Sequence, residues 1–307
     1  MNFRGNHSIS CVFNKGSTLR GMVIVASMMC SMMPSIAKAI DVDAGDYTAL
    51  PAGANLGILY YQYATRDAAY VDGGQQPGNP RLDSNIGIAR GVHYMDVGGY
   101  IVDPQFLLPF GTLKGKDDLS AAGDTDGIGD LILAATVWLV NKPKSNTYFG
   151  ITPFVYLPTG SYDKDDALNI GENRWKFALQ AGYITGITHD LLLDVIADVT
   201  LFGKNDEFTT QKLTMKQDAL TQVQTVLRYQ LTPAWDLRAG GSYAFGGETK
   251  VQGQKQDNEV GTWKFMVSSA WFATPTLQFI AGYGRDLDVR NGLREADRVN
   301  LRVLKVF

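Results

Sequence analysis

Hydrolysis through a nucleophile needs a base within hydrogen-bond reach, so histidine is the first residue to look for. The chain has three: His7, His93 and His189. His7 lies in the first 39 residues, which read as a leader. The other two fall beside expected short turns at one end of a repeating strand pattern, away from the longer polar connections where an exposed nucleophile would sit. No catalytic residue is therefore expected. Asp124-Thr125-Asp126-Gly127 begins like a calcium loop but lacks the later ligands and the closing Glu of an EF-hand, so it reads as a solvated acidic loop. Both cysteines, Cys11 and Cys30, precede residue 40. The chain from residue 40 onward has no thiol for nucleophilic, disulfide or metal chemistry. No metal and no cofactor are expected.

The remaining candidates are charged and aromatic side chains at alternate positions of otherwise apolar segments. Arg174, Lys176, Asp194, Asp198, Arg228, Asp236, Arg238 and Lys264 fall on polar faces that also carry Phe154 and Tyr156. A wide salt-conducting pore would be polar throughout. This mixture suits a narrow, partly apolar passage braced by paired charges. Ion pairs that merely fill a small barrel would account for the charges equally well.

The elements that position these residues have a period of two. Ala219, Thr221, Val223, Thr225, Leu227 and Tyr229 alternate with Leu220, Gln222, Gln224, Val226, Arg228 and Gln230, and Trp235–Phe245 repeats the pattern. Alternate side chains of a strand point to opposite faces. Such segments recur at 54–65, 84–94, 97–109, 127–140, 146–158, 172–185, 190–202, 217–231, 234–246, 260–272, 275–287 and 295–307. Their connections alternate between short (Tyr94–Val97, Asn141–Asn146, Gly186–Asp190) and long (Arg66–Asp83, Gly111–Asp126, Thr159–Gly171, Gly203–Lys216, Gly247–Glu259, Asp288–Arg294). Trp175 and Trp263 mark strand ends at the long loops, and Tyr183, Tyr229, Trp235 and Trp271 mark ends at the short turns, as two interfacial girdles would. These features predict an all-β fold, a transmembrane antiparallel up-and-down β-barrel of about 12 strands over residues 54–307. Outer-membrane lipid surrounds it, and the short turns are periplasmic.

The first residues agree with export. Arg4, Lys15 and Arg20 precede an apolar stretch from Gly21 to Ile36, and Ala37-Lys38-Ala39 closes it, which reads as a secretory signal over residues 1–39. The stretch is shorter than the roughly 20 residues of a spanning helix. Residues 40–53 are expected to be a short periplasmic lead-in. Losing four basic residues and no acidic one takes the formal charge from −3 to −7. An acidic exported chain offers few phosphate contacts, so nucleic acid is not an expected partner. Phe307 ends an alternating strand and resembles the terminal aromatic by which outer-membrane barrels are recognised, so the barrel assembly machinery is an expected partner. Lys305, two positions earlier, departs from the usual hydrophobic residue.

One internal repeat remains. Pro104-x-x-x-x-Pro109-x-Gly111 recurs as Pro153-x-x-x-x-Pro158-x-Gly160. The second proline of each ends a strand. Pro104 and Pro153 sit within strands, where a missing ladder donor calls for a bulge or gap. Pro104, Phe106 and Pro153, with Phe154 and Tyr156, are therefore candidates for a lateral opening. Leu50-Pro51-Ala52-Gly53, Gly127-Ile128-Gly129-Asp130-Leu131 and Leu157-Pro158-Thr159-Gly160-Ser161-Tyr162 occur in the order of the outer-membrane barrel family named for the meta-pathway of phenol degradation, which this chain resembles from about Leu50 to Phe307. The resemblance implies a channel of the Gram-negative outer membrane for passive uptake of small hydrophobic or aromatic solutes, monomeric or loosely oligomeric. A closed structural or adhesive barrel acting through its external loops is the alternative, and an outer-membrane hydrolase a third reading.

Overall fold

The computed structural model describes residues 41–307; the secretory signal expected over 1–39 lies outside them. Twelve wall strands follow one another in chain order: β1 (Asn55–Val71), β2 (Pro80–His93), β3 (Tyr100–Asp117), β4 (Ile132–Lys142), β5 (Thr147–Tyr156), β6 (Lys176–Gly186), β7 (Leu191–Phe202), β8 (Leu220–Thr232), β9 (Trp235–Gly246), β10 (Val260–Thr274), β11 (Leu277–Val289) and β12 (Gly292–Val306). Each pairs antiparallel with its predecessor, and β12 pairs with β1 from Leu56↔Val306 to Tyr70↔Gly292. The sheet is therefore closed and leaves no edge, which lets every ladder bond be made without water. The alternation read from β8 holds residue by residue: Gln222, Gln224, Val226 and Arg228 are buried inside, while Val223, Leu227 and Tyr229 face out.

Several strands run further than their alternation announced. β3 has 18 residues, against the roughly 9–11 that a tilted strand needs to cross a bilayer. β1 continues through Arg66 to Val71, Asp124–Ile128 pairs with the end of β3, and β11 and β12 are joined by Arg290-Asn291 alone, so three expected long loops are mostly strand. Beyond the bilayer both faces of a strand are wet, so hydrophobic alternation no longer marks it. Two other expected loops, 203–216 and 247–259, carry a separate four-stranded sheet made of Asn205–Phe208, Leu213–Gln217, Thr249–Val251 and Gln254–Lys255.

The largest core lies inside the barrel, in its lower half, where β1 begins and β12 ends. Tyr47 and Ala49 pack there with Leu56, Ile58, Val92, Tyr94, Trp138, Tyr148, Ile184, Leu192 and Ile196. Two of its members precede β1. Within the expected periplasmic lead-in, 40–53, residues 41–50 turn back into the lumen and plug it. The physical reason is polar as well as apolar, as their contacts show.

Candidate functional site

The plug is held at each step by a wall residue suited to it. Asp41 takes Lys264 Nζ at 2.6 Å and Arg298 Nη1 at 2.5 Å. The Val42 backbone is bracketed by the Gln224 amide, which accepts from its N–H and donates to its carbonyl at 2.6 Å. Asp43 and Asp46 both bind Arg302, and Asp46 also binds Arg90 at 2.9 Å. Arg238 donates to the Ala44 carbonyl, and the Gly45 N–H donates to Asp194. Tyr47 donates to Gln180 at 3.0 Å and shares a hydrogen bond with Thr152, while Trp138 Nε1 donates to the Tyr47 carbonyl. A bare acidic segment would not stay in a barrel, because a buried carboxylate needs both a partner and hydrogen bonds. This one meets a row of cations on β2, β10 and β12.

All eight charged residues singled out from the sequence are described. Arg228 and Asp194 pair at 2.8 Å, and Arg238 pairs with Asp236. These pairs lie on one side of the plug; Lys264 lies against Asp41. Asp198 is buried, in register with Gln180 on β6 and Gln222 on β8. Arg174 and Lys176 are brought together elsewhere, at the upper mouth, where both bind Glu172. Lys176 also caps the Tyr156 ring at 4.4 Å, and Arg174 covers Phe202 at 4.6 Å. Burial alone would raise the Glu172 carboxyl, but Lys176 and Arg174 outweigh it and hold it at about 2. Asp41, Asp43, Asp46, Tyr47, Arg90 and Arg298 were not singled out. The signal available was the run Asp41-Val42-Asp43-Ala44-Gly45-Asp46, three acids just ahead of a barrel rich in inward cations.

Phe154 and Tyr156 point inward and pack with Ala178, Ile132 and Ala134. They line a cavity of about 220 Å³ between plug and wall, which also touches Ile88, Leu107, Met266, Ile280, Tyr60, Arg90, Gln180 and Arg302. Above it, the 157–175 loop folds over the mouth, where Leu168 is buried against Leu82 and Leu113. That loop is anchored by Asp130, which accepts from the Gly160 and Glu172 N–H groups, and by Ser161, which bonds the Ile128 backbone. The motifs at 127–131 and 157–162 thus form one contact.

Pro104 and Pro153 are both on the outer face and lie on either side of one residue of β4. Pro104 is in register with Ala135. On the other side the β4–β5 ladder is paired at Ala134↔Phe154 and resumes at Val137↔Ile151, leaving Ala135 and Thr136 without a ladder partner opposite Pro153 and Thr152. Side chains stitch the gap from within: Asp103 accepts the Thr136 N–H at 2.6 Å, and the Thr152 and Thr136 hydroxyls share a hydrogen bond. Phe106 is not beside Phe154 and Tyr156. It is exposed on the outer face, and its ring lies over Gly91 of β2, where a Cβ would come within 2.5 Å of it. Phe307 lies against Gly57 of β1 and joins its backbone to Asn55. His93 bonds Asn55 and His189 bonds Asp190, both exposed at short turns.

The family model named for the MetA-pathway of phenol degradation matches residues 65–303. Among solved structures, an outer membrane channel from Pseudomonas putida F1 superposes with a TM-score of 0.84 at 40% identity, covering 87% of this chain and 100% of that one. The transport unit of the autotransporter AIDA-I from Escherichia coli gives 0.48 at 8% identity, covering 93% of this chain and 97% of that one. A deltaS2S3 mutant of the TodX monoaromatic hydrocarbon channel gives 0.49 at 9% identity, over 84% and 90%. No curated protein matches the chain.

Proposed function

The chain belongs to the family named for the MetA-pathway of phenol degradation, a barrel of the Gram-negative outer membrane, and on that premise we propose that it is a channel for passive inward passage of small hydrophobic or aromatic compounds. The observation that carries this reading is the cavity wall. Ile88, Leu107, Ile132, Phe154 and Tyr156 give an apolar surface beside a plug that fills the rest of the lower lumen, so the open space suits a small apolar body better than a hydrated ion. A solute taken up from outside leaves sideways into lipid, where Ala135 stands between two prolines. The 40%-identical relative, itself a channel, supports the same reading. We assign the chain no catalytic role, since neither His93 nor His189 lines the cavity.

The plug favours a second reading, a closed barrel that acts through its loops. Proteoliposomes separate the two. Purified protein should raise uptake of a hydrophobic aromatic such as toluene above that of empty vesicles, with little potassium flux. Flux of neither solute would establish the closed barrel instead.

A further inference from the structure

Asp46 is held by two arginines at once, and this is how a carboxylate ligand is bound. One oxygen accepts from Arg302 Nη1 at 2.6 Å and the other from Arg90 Nη1 at 2.9 Å. Arginine presents fixed, planar donors, which suits it to carboxylate recognition. Neutral groups help set the clamp in place: Arg90 donates to Gln105 and Tyr60, and Arg302 donates to Gln278, while Arg302 Nη1 also reaches Asp43 at 3.0 Å. Both arginines border the cavity, whose lining also includes Ile88, Leu107, Ile132, Phe154 and Tyr156. The wall therefore offers a fork of cations next to a surface for a ring. Asp46, carried by a segment that is no part of the barrel, fills the fork.

We propose that the Arg90–Arg302 clamp is a binding site for the carboxylate of a small aromatic acid, with Asp46 as its internal competitor. This rests on the reading of the barrel as a channel for small hydrophobic or aromatic compounds and adds aromatic acids to its solutes. The ring lies toward Phe154 and Tyr156, and the acid displaces Asp46 from the arginines. A solute without the charge cannot make that exchange. Asp46 thus holds the clamp while no acid is bound, and the plug loosens when an aromatic acid takes its place.

The test uses the full folded chain in detergent, with benzoate as the ligand and benzyl alcohol as the uncharged control. Asp46→Asn removes the competitor at constant size and should bind benzoate at least about tenfold more tightly by calorimetry. Benzyl alcohol binding should not change. Adding Arg302→Gln should abolish the gain. Equal binding by wild type and Asp46→Asn, an equal gain for benzyl alcohol, or a gain that survives Arg302→Gln would each overturn the proposal. Wild-type protein provides a second readout independent of whether the variants fold. Saturating benzoate should speed hydrogen exchange at the Gly45 amide, which the plug holds against Asp194. Unchanged protection there would also overturn it. Benzoate binding without any flux would sink the channel reading and leave the clamp; toluene flux without benzoate binding would do the reverse.

Discussion

The ring of Tyr47 lies where a side chain on β6 would otherwise be. A Cβ built on Gly182 would overlap that ring, and one on Gly150 of β5 would stand 3.1 Å from its Cδ1. The wall is cut back to backbone at these two positions so that an aromatic side chain can dock from within. Gly182→Ala should therefore dislodge the plug while leaving the wall paired. The expected result is a higher single-channel conductance in planar bilayers, with unchanged circular dichroism; an unaltered conductance would mean that Tyr47 can move aside. On the outer face, the two aromatic levels set depth. Tyr243 stacks on Trp263 at 4.5 Å at one level, and Trp235 pairs with Trp271 at the other, with Leu227 midway through its partner Ala239. Leu227→Arg should cost about 2–4 kcal/mol of stability and Leu237→Arg about 0–1, because Leu237 lies at the lower girdle. Equilibrium unfolding in denaturant, with reinsertion into lipid, measures both.

At the scale of elements, β4 and the 157–175 loop carry the distinctive features. A proline in a central strand removes a ladder donor, and here two of them flank Ala135. Replacing both Pro104 and Pro153 with Val, a strong strand former, should close the wall at that point. Toluene uptake should fall while the flux of a small ion is unchanged; equal loss of both, or no loss, would rule out a lateral route. The loop depends on Glu172, whose ionised form is favoured in the folded protein by Lys176 and Arg174. A depressed folded value means that the stabilisation is present above the ordinary carboxyl range and is lost as pH falls. The loss should begin below about 4.5 and be complete below about 2. Thermal unfolding of wild type and Glu172→Gln across that window checks this, and their midpoints should converge at the acid end.

Taken whole, the molecule is a closed sheet wrapped around a segment of its own chain. Closure by β12 against β1 runs the length of both strands, so unfolding must break a continuous ladder. The unheated protein should migrate faster than the heated one on a denaturing gel; a single band at both temperatures would count against closure in solution. The core is unusual for a barrel in needing the plug. Trp138, 2% exposed, would border an empty lumen without Tyr47 and Ala49. Burying a large aromatic side chain contributes about 1.5–3 kcal/mol, so the plug stabilises the wall as the wall holds the plug.

The class of the molecule follows from the order of its residues, because alternation is a local property. Each residue of β8 reports its own face through its own polarity, and the Trp and Tyr girdles report depth in the same way. Twelve strands and their closure were legible on that basis. Strand length beyond the bilayer was not, since water on both faces erases the alternation. The place of residues 41–50 was decided only by tertiary structure. Asp41 meets Arg298 across 257 positions, and Asp46 meets Arg90 across 44. A short acidic segment carries no period that would announce such partners. It lies inside the barrel because three carboxylates find their cations only after the twelve strands have closed around them.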